Sequence, residues 1–287
     1  MNGKFLVIGG TGMLGLPVAQ QLKADSFDVT ILTTNRDRAR GQVGDDFALV
    51  EGDVTDPDSL RRAMAGQDYV YLNLNAHLDA EQYERIEIGG TQNAATVANE
   101  MGVKRIGTIT TASSRGEEEG IIYLDAKVKA EQALKASGVP YTVFRPSWFF
   151  QTLPMFVQKG RAAVIGNQPI PRAWLAASDY ARQVSKAFQT EDAANKCFYN
   201  LGPQPITTMT AVKQFCAAVH PDIKPIRVSF FLARMLAVSP GMEQLKAAVP
   251  FFKYYDSRWE SPTADEADRI LGPNLTTLEE WIKTYSK

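Results

Sequence analysis

Val7-Ile8-Gly9-Gly10-Thr11-Gly12-Met13-Leu14-Gly15, entered directly from the apolar pair Phe5-Leu6, reads as a strand, a glycine turn and the start of a helix. Backbone with so little side-chain bulk lets a diphosphate approach closely. The free N–H groups of a first helical turn, with the helix dipole behind them, favour negative charge there. The glycines satisfy two spacings at once: Gly10, Gly12 and Gly15 form G-x-G-x-x-G, while Gly9, Gly12 and Gly15 form G-x-x-G-x-x-G. The apolar period that follows, Leu14, Val18, Ala19 and Leu22, is helical, so the turn has the strand-before, helix-after context of a dinucleotide site. Gly9, Thr11, Gly12, Met13 and Leu14 are the expected cofactor contacts of this turn.

The second strand identifies which dinucleotide is expected. A site that prefers NAD carries an Asp or Glu at the end of that strand, accepting from the adenosine ribose 2′-hydroxyl. Here Val29-Thr30-Ile31-Leu32 runs into Thr33-Thr34-Asn35-Arg36-Asp37-Arg38-Ala39-Arg40, with no acid directly after the strand. Hydroxyls, an amide and guanidinium forks suit a 2′-phosphate, so the segment points to NADP(H) over NAD(H). Thr33, Asn35, Arg36 and Arg38 are the candidate contacts, with Arg36 first, and Arg40 reads as part of a solvated helix.

The 287 residues carry a formal net charge of −1, which gives no electrostatic footprint for nucleic acid or an anionic membrane. No apolar run reaches the length of a membrane span, and the first strand begins too early to leave room for a signal peptide. Cys197 and Cys216 stand in no metal or redox spacing and read as buried free thiols, so a cytoplasmic, reduced protein is expected. Two distant histidines, His77 and His220, support no metal site. His77 follows the fourth strand and reads as a loop residue or a proton relay.

Strand and helix alternate through the first half, which predicts a doubly wound parallel α/β sheet of the Rossmann type. Strands are expected near 4–8, 28–33, 47–50, 69–74, 105–110 and 141–145, with helices over 79–101 and 123–137, the latter closed by Gly138. Asp56 before Pro57 reads as an N-cap. Beyond Arg145-Pro146 the elements shorten. Helices are expected over 179–189, 207–219, 228–237 and 241–248, with a last one after Leu275-Thr276-Thr277. This divides the chain into a nucleotide-binding domain, 1–150, and a smaller substrate or partner lobe, 151–287, from which Cys197-Phe198-Tyr199-Asn200-Leu201 can return to the sheet.

With these segments the chain resembles the atypical or extended short-chain dehydrogenase/reductases, most closely the NmrA-like group. The resemblance rests on the glycine motif, Gly52-Asp53-Val54-Thr55-Asp56, Gly90-Thr91-Gln92-Asn93 and Gly138-Val139-Pro140-Tyr141-Thr142-Val143-Phe144-Arg145-Pro146. It implies that Asp53 and the Val54 backbone meet the adenine edge. It also implies that Leu74 and Asn75 lie along the cofactor and that the loop holding Trp148 packs beside the nicotinamide. Glu87 departs from the asparagine that extended relatives tend to carry, and Tyr71-Leu72-Asn73-Leu74 departs from their His-Leu-Ala-Ala, which speaks against sugar-nucleotide chemistry.

The family's chemistry rests on Tyr-x-x-x-Lys, and Tyr123 and Lys127 have that spacing, about one helical turn, so both can face one cleft. The resemblance implies that Lys127 stabilises the Tyr123 phenolate and binds the nicotinamide ribose. Thr111, with Ser113 next, is the candidate for orienting a substrate carbonyl. Local turn chemistry is the other reading of both, and ring packing that of Tyr123. Two functions are expected from these residues: an NADPH-dependent reductase of a small, largely apolar carbonyl, quinone or conjugated substrate, or a non-catalytic NADP(H)-binding regulator. Trp148-Phe149-Phe150, Phe230-Phe231 and Phe251-Phe252-Lys253-Tyr254-Tyr255 would supply a flat apolar pocket.

Overall fold

The computed structural model describes residues 2–76, 79–114, 120–239, 243–260 and 263–285. The first half alternates as β1 (Lys4–Ile8), α1 (Gly15–Ala24), β2 (Asp28–Thr33), α2 (Arg36–Val43), β3 (Ala48–Glu51), α3 (Pro57–Met64) and β4 (Tyr69–Leu72). A single helical turn, α4 (Ala80–Gln82), passes through a π-helical stretch, Tyr83–Gly89, into α5 (Gly90–Glu100), followed by β5 (Arg105–Ile109), α6 (Ile122–Ala136) and β6 (Tyr141–Pro146). Asp56 caps α3 by accepting the Asp58 N–H, and Gly138 follows α6 with φ of 80°.

Seven parallel strands form the central sheet in the order β10-β6-β5-β4-β1-β2-β3, where β10 is Lys196–Asn200, paired with β6. Successive residues of β1 feed opposite layers. Phe5 and Val7 pack with Val18 and Leu22 of α1 and with Tyr180 and Val184 of α7 (Ala177–Phe188), whereas Leu6 and Ile8 pack with Leu60 of α3, Ala94 of α5 and Leu134 of α6. Burial on both faces explains why these strands are continuous apolar runs. The strand order reverses between β1 and β4, and ligands of such sheets bind outside the carboxyl ends of the strands at that reversal.

The remainder forms a lobe above that edge. A 3-10 turn over Phe150–Phe156 leads to β7 (Val157–Gln158), antiparallel to β8 (Arg161–Ile165), while β9 (Arg172–Trp174) pairs with β11 (Gln204–Ile206) and β12 (Ile226–Val228) with β8. Helices α8 (Thr208–Val219), α9 (Phe230–Leu236), α10 (Glu243–Tyr255) and α12 (Leu278–Thr284) complete it, with Phe215 of α8 and Trp281 of α12 packed among Phe150 and Trp174, whereas Ala267 and Leu271 of α11 (Asp265–Leu271) join the core on the α7 side of the central sheet.

Four differences from expectation lie here. The short strands β7, β8, β9, β11 and β12 have no counterpart in the sequence pattern, because partners rather than local propensity hold strands of this length. The helix expected from 228 starts at Phe230, since Val228 ends β12 and Ser229 caps α9 by accepting the Leu232 N–H. The helix expected over 241–248 runs on to Tyr255 through Pro250, and its first expected residues, 241 and 242, lie outside the described ones. Proline breaks one helical hydrogen bond, and the ring contacts of Phe251, Phe252 and Tyr255 with Trp148 hold the helix beyond it. Helix α11 had no counterpart in the sequence pattern either.

Candidate active site

At the carboxyl ends of β1 and β4, the glycine turn is held by the protein's own backbone. Gly9 has φ of 78°, and a Cβ on it would stand 2.3 Å from the Asn73 carbonyl oxygen; a Cβ on Gly15 would stand 2.1 Å from that of Gly9. A Cβ on Gly10 would meet the Ile31 and Val7 side chains at 3.0 Å, so the collisions with backbone fall at Gly9 and Gly15. Gly12 differs from its neighbours: it is exposed, and its nearest internal contact would be the Gly9 oxygen at 3.3 Å. Thr11 is half-buried and Met13 exposed beside it. Leu14 stands at the N-cap of α1 with no side-chain cap, and the first turn carries no acid, so N–H donors and the positive end of the dipole remain for an anion. A cradle that one Cβ would narrow, at an uncapped helix end, fits a diphosphate. Asn73, absent from the sequence-based set, closes its floor; only the sheet order brings it to Gly9 and Gly15.

The next turn separates donors that are free from donors already committed. The Thr33 hydroxyl donates to the Asn35 carbonyl (3.1 Å), and the Asn35 side-chain oxygen caps α2 by accepting the Arg38 N–H (2.8 Å). Both expected contacts therefore shape the loop. Arg36 and Arg38 are exposed and have no ion-pair partner among the described residues, whereas Arg40 pairs with Asp45 (3.0 Å). Asp53 also has a local task, with one carboxylate oxygen accepting from the Thr55 N–H (2.8 Å) and hydroxyl (2.9 Å). The Val54 carbonyl accepts from Asn93 Nδ2 (3.0 Å), and a Cβ on Gly90 would strike the Val54 side chain, which accounts for Gly90 and Asn93 within one motif. Leu74 is half-buried and Asn75 exposed at the end of β4.

Helix α6 brings Tyr123 and Lys127 to the end of β5. Lys127 is buried, and its Nζ donates to the carboxylate of Glu87, also buried, in the π-helical stretch. Glu87 is a partner of Lys127 that the spacing on α6 does not announce, and its second oxygen has no partner among the described residues. The Tyr123 ring meets Tyr83 (centroids 6.1 Å apart) and Phe251 (5.4 Å) edge-on. Burial pushes its phenol above the ordinary value, against the Lys127 ammonium and the Thr111 hydroxyl, which pull it down. Here desolvation outweighs the ammonium.

Among the hydroxyls after β5, Thr110 donates to Glu131 (2.8 Å), which receives a fork from Arg145 (3.0 and 2.5 Å). Thr111 stands beside Tyr123 and its hydroxyl accepts the Ser113 N–H (3.3 Å); the Ser113 and Ser114 hydroxyls are buried without a partner among the described residues. Trp148 sits in a ring cluster with Trp174, Phe251, Phe252 and Tyr255 at 5.3–6.1 Å, so α10 packs against the loop after β6. Phe230 packs at Gly166 and Phe231 is exposed, which removes that pair from the pocket. Tyr255, expected only as a pocket ring, brings its buried phenol beside Tyr123, Thr111 and Ser113, and a buried acid outside the sequence-based set, Glu260, accepts from Ser147 (2.6 Å) and lies 3.9 Å from Arg172. No spacing links them to α6. His77 lies outside the described residues, and His220 is the C-cap of α8.

A family model described as NAD(P)H-binding matches residues 9–188. The chain is similar to an NAD(P)H azoreductase of Xenophilus azovorans, 22% identical over 98% of this chain and 97% of that protein. It is also similar to sanguinarine reductase of Eschscholzia californica, 25% identical over 74% of this chain and 93% of that one. Among solved structures, triphenylmethane reductase of Citrobacter sp., complexed with NADP(H), superposes with a TM-score of 0.78 at 22% identity, covering 98% of this chain and 99% of that one. At that identity the structural likeness is one of fold.

Proposed function

The chain belongs to the NAD(P)H-binding family, and from that premise we propose that it is an NADPH-dependent reductase of a small, largely apolar carbonyl, quinone or conjugated substrate. The observation that carries this reading is the phenol and ammonium of Tyr123 and Lys127 on one face of α6, with Thr111 beside them, at the sheet edge that holds the glycine turn. The named activities of the two reductase relatives and the NADP(H) in the Citrobacter structure support the class and the cofactor.

A bound nicotinamide supplies the hydride. Gly9, Thr11, Gly12, Met13 and Leu14 would hold its diphosphate, Arg36 and Arg38 the 2′-phosphate, and Asp53 with Val54 the adenine edge. Leu74, Asn75 and Trp148 would border the nicotinamide half. A phenol held above its ordinary value is protonated at neutral pH, so Tyr123 acts as donor, giving its proton to the substrate oxygen on which charge develops. Lys127 lowers the cost of the phenolate left behind, and Glu87 fixes where that ammonium points. Thr111 would orient the carbonyl, while the Trp148, Phe251 and Tyr255 rings, packed together, would supply an aromatic wall.

The test is NADPH oxidation across quinones, aldehydes and enones, in the parent and in Tyr123→Phe. Loss of the hydroxyl alone is expected to lower kcat by about 10²-fold with NADPH affinity kept; turnover at the parent rate removes Tyr123 as the acid. The Phe251 ring against Tyr123 favours a second reading, a non-catalytic NADP(H)-binding regulator. Tight NADPH binding with no turnover on the whole panel puts that reading first.

A further inference from the structure

Helix α10 has a second face. Phe251, Phe252 and Tyr255 point inward to Trp148, whereas Lys246, Val249, Pro250, Lys253 and Tyr254, spaced as one helical stripe, line an open groove of about 1120 Å³ against α9. Four cations line this groove, Arg234, Lys246, Lys253 and Arg258, and among the described lining residues there is no acid. None of the four has a carboxylate partner among the described residues, although cations elsewhere on this surface do, as in Lys23–Asp46, Arg61–Glu100, Lys104–Asp68 and Lys283–Glu279. On a chain whose net charge is −1, four positive charges in one concavity with no acid among its described lining residues are a local departure. They repel one another, and the low-dielectric walls focus their field on whatever enters.

The floor is of the opposite character. Ile121, Ala237, Val249 and Pro250 are apolar, and the Arg258 guanidinium lies over the Tyr254 ring, 5.6 Å from its centroid. An inorganic anion answers the charges and leaves the floor wet; a neutral arene covers the floor and leaves the charges unmet. We propose that the groove binds a small aromatic organic anion with two or more negative charges, of the aryl sulfonate or aryl carboxylate class. It is a site apart from Tyr123, on the far side of α10, and it stands whether or not Tyr123 donates a proton.

Calorimetric titration of the full chain with 1,5-naphthalenedisulfonate tests this, with sodium sulfate and the neutral 2-naphthalenemethanol as comparison arms. Both comparison compounds are expected to bind at least about tenfold more weakly than the disulfonate, and its affinity is expected to fall as salt rises. Reversing two exposed charges, Lys253→Glu with Arg258→Glu, is expected to weaken the disulfonate about tenfold or more, while Lys253→Arg keeps its affinity. Circular dichroism and an unchanged NADPH titration show that each variant is folded; should the double variant unfold, Lys246→Gln carries the same comparison with a smaller loss. Undiminished binding by the charge-altered proteins, sulfate as tight as the disulfonate, or no binding of the disulfonate overturns the proposal.

Discussion

Gly12 and Gly15 stand one helical turn apart and fail for different reasons when enlarged. A side chain on Gly15 collides with the Gly9 backbone, so Gly15→Val is expected to lower stability sharply, read as a fall in thermal midpoint. A side chain on Gly12 meets the protein only at 3.3 Å and occupies the space above the turn. Gly12→Val should therefore keep its circular dichroism and melting behaviour while losing NADPH binding in a fluorescence titration; tight binding would show that the diphosphate passes elsewhere. Arg36→Ala should weaken NADPH by roughly 1–3 kcal/mol, the range of a charged hydrogen bond, and leave NADH nearly unchanged. At this scale the sequence is informative where a residue's task is set by near neighbours. The tight glycine turn and the Asp56 cap could be read from spacing. It is silent on Asn73 and on the acid that meets Lys127, because those contacts span strands or helices far apart in the chain.

The π-helical stretch before α5 delivers Glu87 to Lys127, and the two buried groups now depend on each other. Removing the carboxylate alone, in Glu87→Ala, leaves a buried ammonium without its partner. That should cost on the order of 3–5 kcal/mol in urea unfolding, while replacing both, Glu87→Gln with Lys127→Met, should cost clearly less. Equal losses in the two proteins would mean that the pair does not interact. If Glu87 steers the ammonium, Glu87→Gln should also shift the pH dependence of turnover, which a purely structural role leaves in place. Elements as well as residues differ in how far they could be foreseen. Strands β1 to β6 announce themselves as apolar runs bounded by turn residues, because helices cover both faces. The two- to five-residue strands of the lobe take their form from partners, and α10 passes through a proline that marks a stop in any local reading.

Across the whole molecule, Glu260 joins the segment after α10 to Ser147 after β6 and to Arg172 in β9, with the Tyr255 phenol close by. Burial raises its pKa, only partly offset by Ser147 and Arg172. An acid with a raised folded pKa contributes stability that is whole below its unfolded value and lost as pH climbs through the folded one. Stability should therefore decline over the window above the ordinary carboxylate range, from about pH 5 upward, and Glu260→Gln should flatten that slope in denaturant midpoints taken at several pH values. An unchanged slope would assign the decline to other groups. The order of strands in the sheet has a consequence for how such a chain is made. A ribosome delivers β6 well before β10, and until Asn200 has emerged the outer edge of β6 is a bare row of backbone donors and acceptors. At ~5–20 residues per second, that edge is open for about 3–11 s in every round of synthesis. In that interval β6 offers the nascent chain a second open edge beside that of β3, through which it can pair with another copy of itself.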